Sequence, residues 1–205
     1  MWLICTFPSR HYDIDDYPAV KNYLLSFGVE RLEQTGKTHI INGEKVSARK
    51  KTMNKWFETQ DSIGYWDDFS KQKIVWSRLT RISKKDFDDF PRFALVKNDY
   101  VVLDSLCFCV GDNLNSLLDV LNSKFAAYYF FNNVAILDNG GLQMRQQYVE
   151  NIPVPNTLLS ISKSQLDELD KSIFDSFHFT QEEIAFINNF LLAKKHEIES
   201  NCCRP

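Results

Sequence analysis

Histidine and glycine are scarce in this 205-residue chain, at four and seven residues, and the motifs that need them are missing. There is no glycine-rich phosphate loop, no GxSxG elbow and no HExxH pair. P-loop nucleotide chemistry, the α/β-hydrolase nucleophile and zincin-type catalysis therefore lack their residues. His11, His39, His178 and His196 have no companions at ligand spacing and read as structural or solvent-exposed. Cysteine is equally unhelpful as a metal framework: five residues, an odd number, stand at spacings that fit no zinc pattern. Reduced thiols of a cytoplasmic protein are the simplest reading. The longest apolar run, 125–131, is far too short for a bilayer, and residues 1–7 lack a basic start and a cleavage site, so no membrane or export role is expected. Internal repeats and low-complexity tracts are absent too.

What is present suits a packed protein. Hydrophobic residues make up 44% and charged residues 25%, enough for one or two domains with a core. The formal charge of −3 conceals a polarised chain: residues 31–97 carry about six more basic than acidic side chains, and the flanking segments are net acidic.

The stretch 71–110 organises the rest. Residues 73–78 read as a strand whose exit sets Arg78 and Arg81 beside a sheet. Asn98-Asp99 favours a reversal, so 92–102 reads as a hairpin. Over 105–110, Leu106, Phe108 and Val110 alternate with Cys107 and Cys109, as in a strand with one face on a core. Both thiols are assigned to core packing, because no basic partner is visible to activate them. Asp86, Asp88 and Asp89 lie beside Lys84 and Lys85 and read as a solvated insert rather than a metal site.

Before this stretch, a strand is expected to end at Pro8. Asp15-Asp16 ahead of Tyr17-Pro18 marks a helix start, with a possible break at Gly28. Residues 36–55 read as a polar loop containing Ala48-Arg49-Lys50-Lys51. After the central stretch, Gly111-Asp112-Asn113 caps one long helix over 114–128. Residues 132–147 form a loop eased by Gly140-Gly141, and 148–150 a short strand. Ser162 with Gln165, and Thr180 with Glu183, fit reciprocal helix caps, so a helical hairpin follows Pro155. The fold expected is mixed α/β, with a small curved mixed or antiparallel sheet, flanking helices and a C-terminal helical hairpin. The chain is expected to be a segment of a longer polypeptide.

Seven segments in order carry a family resemblance: TFPS at 6–9, YPAVKNYL at 17–24, RLEQTG at 31–36, ARKKTMNKWFETQDSIGYWDDFSKQKIVW at 48–76, PRFALV at 91–96, LLDVLNSKFAAYYF at 117–130 and GGLQMRQQYVENIPVP at 140–155. Together they resemble the TaqI-like C-terminal specificity domain, the target recognition region of type IIG restriction-modification enzymes and related adenine-N6 DNA methyltransferases. The resemblance runs over about residues 6–190. It implies a noncatalytic module, 1–155, that reads double-stranded DNA, followed by the helical unit 156–205. The family's NPPY tetrapeptide and its cofactor-binding glycine motif have no counterpart here. No cofactor is expected in this chain; S-adenosylmethionine is expected in a methyltransferase domain, carried in the same polypeptide or as a separate subunit. In the second arrangement the chain would be the specificity subunit of a type I-like complex, its C-terminal helices docking the methyltransferase.

Residue chemistry fits that implication. Lysine and arginine neutralise phosphates without regard to sequence, and Arg49, Lys50, Lys51 and Lys73 are the candidates. Base edges need forked groups, arginine for guanine and glutamine for adenine, and Arg78, Arg81, Gln143, Arg145 and Gln146 are suitable. Plainer alternatives stand beside each: a solvated loop for 48–51 and for 143–146, and ion pairs with the acidic insert for Arg78 and Arg81. Trp66 and Trp76 could stack on a base, but aromatic residues near strands are usually core. DNA recognition would further require these groups to lie on a common side.

Overall fold

Pro18 has no N–H to leave unpaired and opens the first helix, α1 (Pro18–Leu25), behind a short 3-10 turn, Ile14–Asp16. Asp13 caps that turn by accepting from the Asp15 N–H at 3.0 Å. The helix ends at Leu25. Gly28 then takes a φ of 87° and admits a single turn, α2 (Val29–Leu32). The computed structural model describes residues 3–137, 140–155 and 166–201, in two compact units, Met1–Trp66 and Asp67–Pro205.

In the first unit, half of the expected polar loop is a hairpin, β1 (Thr38–Ile41) against antiparallel β2 (Glu44–Ser47). The turn between them is Asn42-Gly43, with φ of 51° and 85°, the consecutive positive values that a two-residue I′ connection needs. Only Val46 of this hairpin is buried, which is why its sequence reads as polar. The strand expected before Pro8 does not form. Pro8–Arg10 is a 3-10 turn, and the segment ahead of it is held by one backbone bond, from Thr59 N to Thr6 O at 2.9 Å.

The second unit is built on β3 (Lys73–Ser77), which pairs antiparallel with β4 (Phe93–Val96) on one side and β5 (Leu106–Cys109) on the other. The hairpin expected over 92–102 is therefore corrected: Asp99 does adopt a positive φ of 66°, but β4 and β5 each pair with β3, not with one another. Cys107 lies opposite Trp76 and Cys109 opposite Ile74, so the cysteine face joins the main core, and Phe108 packs against Phe69 with ring centroids 5.3 Å apart.

The long helix expected over 114–128 is two, α3 (Leu114–Leu121) and α4 (Lys124–Asn133). Asn122 explains the interruption. Its side chain accepts from Phe93 N at 2.9 Å and donates to Phe93 O at 3.0 Å, closing the outer edge of β4. Ser123 then restarts the helix, its Oγ accepting from Ala126 N at 3.1 Å. Residues 148–150 are likewise not a strand; α5 (Gln146–Val149) turns Val149 inward, and Ile152 follows it into the core.

The last elements are α6 (Leu166–Ser176) and α7 (Gln181–Asn201), the C-terminal helical hairpin. Thr180 and Glu183 make the reciprocal cap: Glu183 Oε2 accepts from Thr180 N at 2.8 Å and Thr180 Oγ1 from Glu183 N at 3.3 Å. The Ser162–Gln165 cap lies outside the described residues. Ile173, Phe174, Ile187 and Leu191 enter the same core as Ile74 and Phe130. The fold is thus mixed α/β with two small antiparallel sheets. Among the described residues no helix is long and apolar enough to cross a membrane.

Candidate nucleic-acid interface

In the second unit, two segments distant in sequence are sewn together next to the central strand. After β3 the chain runs through Arg78 to Thr80, and Thr80 forms an antiparallel bridge with Leu142: Thr80 N donates to Leu142 O at 2.9 Å and Leu142 N to Thr80 O at 2.8 Å. A second tether comes from the core, where Trp76 Nε1 donates to Met144 O at 2.7 Å. Leu142 and Met144 are each 2% exposed. Their alternation turns the residues between and after them outward: Gln143 is half-buried, and Arg145 and Gln146 are exposed. Arg78 and Arg81 are exposed as well. The structure therefore brings Arg78 and Arg81 together with Gln143, Arg145 and Gln146.

Charge at this cluster is partly tied. Arg78 Nη1 donates to Asp104 Oδ1 at 2.8 Å, a pair open to solvent on both sides. The acidic insert has other partners: Asp86 meets Arg92 at 3.5 Å and Asp88 meets Lys195 at 2.7 Å. Arg145 has no ion pair among the described residues. Gln146 Nε2 lies 3.3 Å from Glu150 Oε2, one helical turn on. The Cys107 thiol sits beneath this cluster; burial pushes its pKa up, against smaller opposing effects of the Gln146 backbone N–H and the Arg78 charge. It stays protonated and apolar in character.

The basic run of the first unit divides by role. Arg49 is half-buried, and its guanidinium donates to three backbone carbonyls: Leu32 O at 2.7 Å, Glu58 O at 2.9 Å and Trp56 O. Burial lowers its pKa from the usual arginine value. Assignment of Arg49 to phosphate is corrected on this ground, since its donors already hold the segment 49–60 against α2. Buried Gln34 completes that scaffold by donating to Lys55 O at 3.0 Å and Glu58 O at 2.8 Å. Lys50 and Lys51 are exposed. Lys50 meets Asp61 at 3.0 Å across an open surface, an interaction of about 0–1 kcal/mol that a phosphate can replace.

Lys73 is the second correction. It is fully buried, and its ammonium donates to Phe69 O at 2.9 Å and Lys71 O at 2.6 Å. Desolvation lowers its pKa, only partly offset by Asp99. Alternation puts residue 73 on the face opposite the core residues Ile74 and Trp76, so spacing alone could not reveal that it is buried there with its Nζ curled back to the preceding turn. Trp76 is 4% exposed and belongs to the core; Trp66 packs edge-on against Phe7 with centroids 4.8 Å apart.

Sequence reasoning missed Lys55, which is exposed near the Phe57 ring at 5.5 Å and extends the cationic rim begun by Lys50 and Lys51. Its position four residues after Lys51 was the available signal. Among the described residues, no group of three or more His, Cys, Asp or Glu side chains is placed to hold a metal ion.

No curated protein and no solved structure matches the chain. A family model described as the TaqI-like C-terminal specificity domain matches residues 19–154, a span that includes the 49–60 scaffold and both segments joined at Thr80 and Leu142. With well over half of its length matched, the chain belongs to the TaqI-like C-terminal specificity domain family, noncatalytic DNA-recognition modules of restriction-modification enzymes.

Proposed function

We propose that this chain reads the duplex target of a type IIG enzyme that methylates adenine at N6, with Arg78, Arg81, Gln143, Arg145 and Gln146 at base edges and Lys50 and Lys51 on phosphates. The observation that carries the reading is the Thr80–Leu142 bridge, which gathers forked and amide-bearing side chains on backbone pinned from below. Anchored backbone matters because bidentate contacts tolerate little displacement. The methyl donor, S-adenosylmethionine, belongs to a methyltransferase domain outside this chain. An adenine amino group is inaccessible while stacked, so that domain takes the base out of the helix, and the module holds the flanking duplex.

A second arrangement, a specificity subunit docking a separate methyltransferase, draws support from α7, which leaves Phe186 and Leu192 more than half exposed. An NPPY-bearing domain in the same reading frame favours the fused enzyme; a second recognition domain joined by long helices favours the subunit.

The test is a mobility-shift titration of the intact protein over a range of salt. Lys50→Ala with Lys51→Ala weakens binding to all duplexes alike and flattens the salt dependence; Gln143→Ala or Arg145→Ala changes the preferred sequence. Unchanged affinity and preference in both sets would reject the assignments.

A further inference from the structure

Met53 is 98% exposed, a large apolar side chain standing clear of the protein on a segment that is otherwise tightly fixed. Its neighbours point the other way. Thr52 Oγ1 donates to buried Gln34, and Asn54 Nδ2 donates to Thr59 O at 2.9 Å and Gln60 O at 3.2 Å. The Asn54 N–H is held by Thr52 Oγ1 at 3.1 Å, and the Lys55 N–H by Glu58 Oε2 at 2.7 Å. On either side, Lys51 and Lys55 are exposed cations. The pattern is an inward polar anchor at 52 and 54 with an outward cation, thioether and cation at 51, 53 and 55.

An unbranched thioether fully in water contributes nothing to folding by burial, and the rigid base beneath it removes the entropy loss that a mobile loop would suffer on binding. The two lysines select a polyanionic partner over an apolar protein face. A side chain of this shape between two phosphate-neutralising groups suits insertion at a base step, where Met is among the apolar wedges that unstack DNA. We infer that Met53 is a wedge that enters the duplex at an opened step while Lys51 and Lys55 hold the flanking phosphates. The inference rests on the chain's reading as a duplex-binding module, and adds to it a contact that distorts rather than reads.

The test uses the intact protein, a 30-base-pair mixed-sequence duplex, and the same duplex carrying one abasic site. The wedge is buried in either duplex, but the abasic site removes part of the unstacking cost of a few kcal/mol per step, so wild type prefers the abasic duplex by about tenfold or more. Met53→Ala loses that preference yet keeps the salt slope on the intact duplex; Met53→Leu retains it. The exposure of Met53 means that neither variant alters thermal stability. Salt-dependent binding with no abasic preference in wild type, or with the preference kept in Met53→Ala, overturns the wedge and leaves duplex recognition standing. Absence of salt-dependent binding to either duplex overturns both. Loss of assembly with the methyltransferase polypeptide in Met53→Ala, with DNA binding unchanged, assigns the residue to a protein interface and likewise overturns the wedge.

Discussion

Replacing Trp76 by Phe separates the support of the candidate reading surface from the surface itself. The indole N–H donates to Met144 O at 2.7 Å, and both residues are almost wholly buried, at 4% and 2% exposure. Phenylalanine keeps an aromatic ring against Phe93, whose centroid lies 5.4 Å away, but removes the donor. The carbonyl left unpaired costs about 1–3 kcal/mol. The smaller ring leaves a void that costs about 1 kcal/mol more. Unfolding free energy should thus fall by about 2–4 kcal/mol in a urea titration followed by far-ultraviolet circular dichroism, with the denaturant slope unchanged. The Met144 carbonyl is also a tether of the segment carrying Gln143, Arg145 and Gln146. Discrimination between duplexes should therefore fall more than overall affinity, although no group at the proposed base contacts is altered. A loss below about 0.5 kcal/mol, or one that leaves sequence preference intact, would refute the reasoning that this bond positions the segment.

Further expectations concern the basic residues and one helix cap. Arg49→Ala removes donors to three carbonyls and should destabilise the first unit by about 3–5 kcal/mol in a denaturant titration; Arg49→Lys should not rescue it, because an ammonium cannot reproduce the planar fork. Lys50→Ala with Lys51→Ala should lower the log–log salt slope of duplex binding by about 1.8, at about 0.9 per phosphate, whereas Lys73→Met should leave that slope unchanged because its ammonium faces the interior. Hydrogen bonds from the Thr180 backbone and hydroxyl hold the Glu183 carboxyl below its usual pKa. The cap therefore contributes stability above the unfolded-state value and loses it as pH falls through the lower folded value. Thermal melts from pH 7 to pH 3 should show this loss in wild type and its absence in Glu183→Gln.

Local chemistry made part of the fold legible. Tyr17-Pro18 gave a helix start, Gly28 a break, and Thr180 with Glu183 a cap, because each rests on bonds between near neighbours. The misread elements were decided by partners far along the chain. Asn122 broke a continuous apolar helix face because Phe93, twenty-nine positions earlier, offered an edge to close. β4 and β5 turned away from one another because β3 offered both of its sides. The hairpin at Asn42-Gly43 is the exception, a local signal overlooked amid polar strands. At the candidate surface, residue type nominated Arg78, Gln143 and Arg145 as candidates but could not reveal the Thr80–Leu142 bridge that joins their segments. Residue type also misassigned Arg49 and Lys73, since a cation bonded to backbone carbonyls reads in sequence like one awaiting a phosphate.

The most direct measurement is selection of bound sequences from a random duplex pool by the intact protein, comparing wild type with Gln143→Ala and Arg145→Ala. If the bridged segments read bases, each variant relaxes the selected sequence at one or two positions and keeps the wild-type salt slope. Selection of the same sequence by all three proteins, with the variants merely weaker and their salt slopes reduced, would show phosphate contact only and contradict the account.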